Sequence, residues 1–165
     1  MLPDENGIDG WLRYAPLPSA LISQFEQYGR IIALSKDDTS PVFTAAKEVQ
    51  KGLKGILNQE VEIGHSLASY GQDEDKAAII IGIIHEFSQA DGDVARIPPL
   101  KEDGFWLDNQ ENKNVQILGQ NARGALYGAF EFLMLLAQGK PCPSGHSSNP
   151  SAPIRWVNQW DNLDG

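Results

Sequence analysis

A second cysteine is missing from this chain of 165 residues. Cys142 stands alone, so no internal disulfide can form and no thiolate cluster is available for a metal. Basic residues are also in deficit: 13 Lys and Arg against 22 Asp and Glu give a formal net charge of −9 and a pI near 4.7. An acidic surface repels phosphate backbones, which argues against nucleic acid and anionic membrane as partners. Solubility is the plain meaning of that charge. A Ca²⁺ role would need a D-x-[DN]-x-[DN]-G loop, and the sequence has none. It also has no apolar stretch as long as a membrane span and no basic-then-apolar start of the kind that directs secretion. Asn149 is followed by Pro150, so it makes no glycosylation sequon.

What the chain does have is an ordinary globular composition, 41% hydrophobic, and enough length to bury roughly 70% of the unfolded chain's surface. One domain, or one domain and a stub, is expected. Arg30-Ile31-Ile32-Ala33-Leu34 reads as a short buried strand. Ser40-Pro41 then offers an N-cap followed by proline at the first helical position. Val42, Ala45, Ala46, Val49, Leu53 and Ile56 recur at helical spacing, with Lys47, Glu48, Lys51 and Lys54 opposite them. Gly52 and Gly55 each weaken this helix by up to about 1 kcal/mol relative to Ala, so packing must hold it. Val61-Glu62-Ile63 is a second, weaker strand. Ala77 to Ile84 is β-branched and apolar without alternation, which places it centrally in a sheet covered on both faces.

Residues 66–76 and 88–102 read as polar loops. Gly104-Phe105-Trp106-Leu107 and Val115-Gln116-Ile117-Leu118 flank the polar tract 108–114 and form a hairpin with a longer loop. Asn121 caps a second helix, with Ala122, Leu126, Ala129, Phe130, Leu133 and Ala137 expected on its inner face. Gly124 and Gly128 leave that helix bare for close approach. Four prolines between Lys140 and Pro153 mark a linker. The expected fold is therefore α/β, a mixed β-sheet with two main packing helices. Its divisions are 1–139 for the α/β domain, 140–153 for the linker and 154–165 for one strand of something further.

Several constellations invite chemistry. Gly119-Gln120-Asn121-Ala122-Arg123-Gly124 lies between strand and helix, where phosphate loops sit, but Ala125 and Leu126 stand where a P-loop needs Lys and Ser/Thr. The glycines serve a tight turn and helix packing. His65, His85 and His146 have no metal-ligand spacing, and Asp73, Glu74 and Asp75 form a solvated charge run. Ser144 and Ser147 beside His146 suggest a nucleophile and base, yet a Pro/Ser-rich linker cannot hold catalytic geometry.

The segment Ile154 to Gly165 is richer. Trp156 and Trp160 alternate with polar residues, and Asp161, Asn162 and Asp164 crowd the end. Indole faces suit sugars, and paired carboxylates suit glycosidic acid/base work. Structural hydrogen bonding of Asp and Asn to loop amides is the competing reading.

Ala152 to Gly165 resembles the segment that opens the catalytic barrel of family 67 α-glucuronidases. Asn6-Gly7-Ile8-Asp9-Gly10-Trp11-Leu12-Arg13-Tyr14-Ala15-Pro16, Gly104-Phe105-Trp106-Leu107 and Ala122-Arg123-Gly124-Ala125-Leu126-Tyr127-Gly128-Ala129 are similar to that family's N-terminal domain, in family order. The texture is closest to fungal members. The resemblance implies a hexosaminidase accessory-domain-like front domain, then a (β/α)8 barrel of about 250 residues, then a helical domain. It implies an inverting hydrolase without cofactor that removes α-1,2-linked (4-O-methyl)glucuronic acid from xylo-oligosaccharides, with its catalytic acid and base beyond Gly165. Of the substrate-binding residues Trp160 carries over, with Asp161 and Asn162 as neighbours. The implied partners are a xylo-oligosaccharide carrying glucuronic acid and the chain's own catalytic barrel. Extracellular localisation follows from the habit of the fungal-like members. The isolated chain is expected to be inactive, with exposed apolar surface and self-association. Two other readings compete. A carbohydrate-binding module would use Trp11, Trp106 and Trp156 as platforms. An independent α/β protein with a frayed tail would stay stable without residues 140–165.

Overall fold

The computed structural model describes residues 13–35, 37–67, 76–110 and 114–156. In chain order these form α1 (Ser19–Ile22) with a 3₁₀ turn at Ser23–Phe25, β1 (Tyr28–Ala33), α2 (Pro41–Leu57), β2 (Glu62–Gly64), β3 (Ala77–Ile83), α3 (Ile84–Gln89), β4 (Phe105–Gln110), β5 (Asn114–Gly119), α4 (Ala122–Ala137) and β6 (His146–Ser148). The strands make one six-stranded sheet in the order β2-β1-β3-β5-β4-β6. Pairing is parallel from β2 through β1 and β3 to β5, then antiparallel to β4 and β6. The α/β fold with a mixed sheet and two long helices is as expected.

Strand β3 occupies the middle, and its residues alternate between two cores. Ile79 and Ile81 face the larger one, under α2 and α4, while Ala78 and Ile80 face a smaller one closed by Phe87 of α3. That explains a strand with no polar positions. Helix α2 begins as its sequence requires: the Ser40 side chain accepts from the Phe43 N–H at 3.2 Å, and Pro41 takes the first turn. It ends at Asn58 in the left-handed conformation. Its two glycines have a packing reason. A Cβ on Gly52 would strike the Leu133 side chain of α4, and one on Gly55 would lie 2.7 Å from the Tyr14 carbonyl oxygen. The N-terminal strand of coil is laid along this groove, with the Leu17 N–H donating to the Ile56 carbonyl at 3.0 Å and the Tyr14 hydroxyl donating to Glu48.

Four expectations are corrected. The inner face of α4 consists of Gly124, Ala125, Gly128, Ala129, Phe132, Leu133 and Leu136. Of the residues expected there, Ala129 and Leu133 are buried and Ala122 and Leu126 pack half-buried against the same core, while Phe130 lies half-buried outside it and Ala137 is exposed. The bare glycines turn toward the sheet, since a Cβ on Gly128 would sit 3.0 Å from Ile117 and 3.3 Å from Phe105. The helix is rotated so that backbone, rather than Phe130, meets the strands. Burial of Phe132, Leu133 and Leu136 contributes about 1.5–3 kcal/mol each.

The hairpin strands are longer than the apolar runs, because Asp108 enters β4 with its carboxylate fully paired. Ile84 begins a short helix where the sequence continued a strand. Residues 140–153, read as a linker, carry buried Cys142, the Asp108 partners Ser144 and Gly145, and the edge strand β6. Deleting 140–165 would therefore strip the sheet of an edge, contrary to the frayed-tail reading. Ile154, Arg155 and Trp156 carry no strand pairing, and the rest of the segment expected as a barrel strand lies outside the described residues.

Candidate functional site

The polypeptide crosses one corner of the sheet twice, at the start of β4 and again after β6. Both crossings meet at Asp103. This residue has positive φ (62°) at the turn leading into β4, just before Gly104. The Gly104 N–H donates to the Lys101 carbonyl at 2.9 Å, and the Gln120 N–H donates to the Gly104 carbonyl at 2.9 Å, closing the turn against the end of β5. Gly124 packs against the same turn so closely that a Cβ there would collide with the Gly104 carbonyl oxygen.

Asn121 caps α4, its Oδ1 accepting from the Gly124 N–H at 2.9 Å, and its Nδ2 donates to Asp103 Oδ1 at 2.9 Å. Arg123 Nε donates to the same oxygen at 2.9 Å, and Arg155 Nη2 donates to Oδ2 at 2.9 Å. The Asp103 side chain is 8% exposed. The Asn121 amide, and with it the Arg123 and Arg155 guanidinium groups, holds the Asp103 carboxyl below the usual carboxylate range, against the opposing effect of burial. Such a carboxylate stays charged at neutral pH. It is built to bind cations and donors, not to deliver a proton.

Trp160, Asp161 and Asn162, the sequence's substrate-binding candidates, lie outside the described residues, as do Trp11 and the Asp73-Glu74-Asp75 run. Trp156 is described and stands 85% exposed. Trp106, by contrast, is 5% exposed within the smaller core, so it cannot serve as a sugar platform. The three histidines are dispersed. His65 stacks on Phe43 at 5.6 Å, His85 lies on α3, and His146 on β6 sits 6.2 Å from the Phe105 ring. The Ser144 hydroxyl donates to Asp108 Oδ1 at 2.9 Å and, with the Gly145 N–H on the same oxygen, pins this tract to β4; the hydroxyl makes no contact with His146 among the described residues. Ser147 and His146 are consecutive on a strand and project to opposite faces.

Two residues that sequence reasoning passed over organise the polar interior. Asp108 accepts from Ser144 Oγ and the Gly145 N–H at 2.9 Å each, with Arg96 at 3.4 Å. Asp103 is the other. Its sequence signal was the Asp-Gly dipeptide, a turn signature, at the start of a strand. An open groove of about 550 Å³ runs beside α2, lined by Lys47, Gln50, Lys51, Lys54, Glu60, Val61 and Glu62. Glu60 pairs with Lys54 at 2.7 Å, and that contact holds its carboxyl below the ordinary range, the wrong direction for a glycosidic proton donor. Among the described residues no group of three His, Cys, Asp or Glu is placed to hold a metal.

What these residues define is an α/β layered module whose polar clusters bind its own turns and chain exit. The chain belongs to the glycosyl hydrolase family 67 N-terminus family, whose model matches residues 10–132. It is 42% identical over 161 residues to a probable alpha-glucuronidase A of Aspergillus clavatus, 45% over 161 residues to that of Aspergillus terreus, and 43% over 159 residues to alpha-glucuronidase A of Emericella nidulans. These alignments cover 96–98% of this chain and 18% of each relative, so the chain spans under a fifth of the length of the curated relatives it matches. Among solved structures, a family GH115 4-O-methyl-alpha-glucuronidase with specificity for decorated arabinogalactans overlaps 66% of this chain and 13% of its own, at 24% identity and a TM-score of 0.49.

Proposed function

We propose that this chain is the non-catalytic front domain of a larger α-glucuronidase that hydrolyses α-1,2-linked (4-O-methyl)glucuronic acid from xylo-oligosaccharides. The observation that carries the reading is family membership in a chain that aligns along almost all its length with under a fifth of its curated relatives. In this reading residues 154–165 open the catalytic barrel, Trp160 walls the uronic-acid pocket with Asp161 and Asn162 beside it, and the whole enzyme works outside the cell. The accessory domain supports the barrel, in the manner of the hexosaminidase accessory domains. The chemistry of the described residues agrees with a supporting role, since Asp103, Asp108 and Glu60 are each tied to cations or amide donors.

An assay of the isolated chain on aldouronic acids tests it: no glucuronic acid should be released, and measurable release would overturn the reading. A second reading, a carbohydrate-binding module, draws on one observation, the exposed indole of Trp156. Affinity electrophoresis in glucuronoxylan separates the two, because a pure scaffold migrates without retardation.

A further inference from the structure

The exit of the chain is built more firmly than its composition suggests. Ile154 and Trp156 stand 75% and 85% exposed, while Arg155 between them, itself exposed in part, lays its guanidinium back against the start of α4 and the turn before β4. Its guanidinium makes three separate contacts. Nη2 donates to Asp103 Oδ2 at 2.9 Å, Nη1 donates to the Ala152 carbonyl at 2.8 Å, and the group lies 5.5 Å from the Tyr127 ring centroid on α4. The anchor cannot drift, because Asp103 sits in a turn closed by two backbone hydrogen bonds and backed by Gly124. The two carboxylate oxygens divide the work: Oδ1 serves Asn121 and Arg123 of the α4 start, and Oδ2 is given to Arg155 alone among the described residues.

We propose that the Asp103–Arg155 pair is a latch that fixes the direction in which the polypeptide leaves the domain, and that Arg155 is a positioning residue for the segment after it. The inference rests on the proposed function only for what that segment does, because the latch itself is a property of this chain. A free linker would have no use for a fork-shaped cation shared between a carboxylate and a carbonyl. Here the fork ties the first turn of α4 to residues 152–156, so that stretch has a set position and heading.

Trypsin reads the latch directly, since it cleaves after Arg155 only when that side chain is released into the protease. The reference is a free peptide spanning residues 150–160 in the same digest. Cleavage in the folded chain should be slower than in the peptide by about tenfold or more, the factor expected of a charge-assisted hydrogen bond. Asp103→Asn should bring the rate close to that of the peptide. Because that variant also touches the cap of α4, Arg155→Lys is the companion. It keeps a tryptic site and leaves the core alone, but an ammonium on a flexible stem cannot span both acceptors, so protection against its own reference peptide should fall severalfold. Equal rates for wild-type chain and peptide, or unchanged protection in Arg155→Lys, would overturn the latch. Neither readout involves sugar release, so the latch and the proposed enzyme can fail separately.

Discussion

Under α2 and α4 the sheet presents Ile31, Ala33, Ile79, Ile81, Val115, Ile117, Phe105 and Leu107, all apolar, to two helices of 17 and 16 residues. The opposite face presents Ile32, Leu34, Ala78, Ile80, Trp106 and Leu118 to the six-residue α3 and to Val94, Ile97 and Leu100 of a loop. On that second face Gln116 and Asp108 are also buried, in alternation with the apolar residues of β5 and β4. One face is dry and helix-covered, the other mixed and covered by loops. The helical face leaves little room for added volume, since the α4 backbone lies directly on the Gly104 backbone at Gly124 and on the Ile117 and Phe105 side chains at Gly128. The loop face stays closed only because its polar groups are satisfied one by one.

The largest test of this contrast compares two glycines. Gly124→Ala should destabilise by about 3 kcal/mol or more, since the new methyl collides with the Gly104 carbonyl and must push α4 off the turn that holds Asp103. The better helix propensity of alanine returns only about 1 kcal/mol. Gly82→Ala, on the loop-covered face, meets side-chain atoms of Leu34, the nearest at 2.9 Å. The nearest of them is the Leu34 Cβ, which moves only with the backbone just past β1, but the overlap is smaller than at Gly124, so this variant should cost about 1–2 kcal/mol. Denaturant midpoints would measure both, and equal losses would break the comparison.

The same contrast governs what could be read from the sequence. Helices α2 and α4 and strand β3 were legible because a face covered by regular elements imposes a period of 3.6 or a run of β-branched residues. The rotation of α4 was not legible, because glycine contributes nothing to an apolar count and yet makes the closest approach. The loop face was mostly opaque. Trp106 stood as a platform in the binding-module reading when it is core, Ile84 at the head of α3 read as the end of a strand, and the 140–153 tract read as a linker although it caps Asp108 and adds β6. Loop cover carries no period, so its buried side chains look like surface. The exit corner was half legible: Asn121 announced a cap, but nothing local joins Asp103 to Arg155, 52 positions later.

A middle-sized effect should come from Cys142, which lies at the rim of the dry core with Asp108 nearby. Burial, with the Asp108 charge adding to it, pushes the Cys142 thiol up to about 12. The unfolded thiol titrates near 8.5, so the native state holds a proton that the unfolded state loses above that pH. Stability is therefore complete below pH ~8.5 and declines as pH rises toward 12, by about 2 kcal/mol at pH 10. Tyr28, also raised to about 12 by burial, adds its own loss only above its ordinary value near 10. Urea melts of wild type and Cys142→Ala from pH 8 to 10 should show the wild-type slope and a flattened one in the variant. Parallel slopes would mean that water reaches the thiol and that the dry face is not sealed at this rim.

The smallest effect belongs to the loop face. Glu86 on α3 has one carboxylate oxygen, Oε2, buried without a hydrogen-bond partner among the described residues, and desolvation raises its pKa, with His85 opposing. The sign is opposite to that of Asp103. With a folded pKa above the unfolded value near 4.3, the folded chain holds this proton more tightly, so stability falls as pH rises through the interval between the two. Glu86→Gln removes the charged form. It should leave stability unchanged near pH 3.5 and raise it at pH 7 by less than about 0.5 kcal/mol, because the residue is only half-buried and its side chain can turn toward water. Thermal melts at the two pH values check it. A gain at pH 7 as large as the Cys142 effect would show Glu86 sealed in a core as tight as the one beneath α2 and α4, and the two faces would then no longer differ in kind.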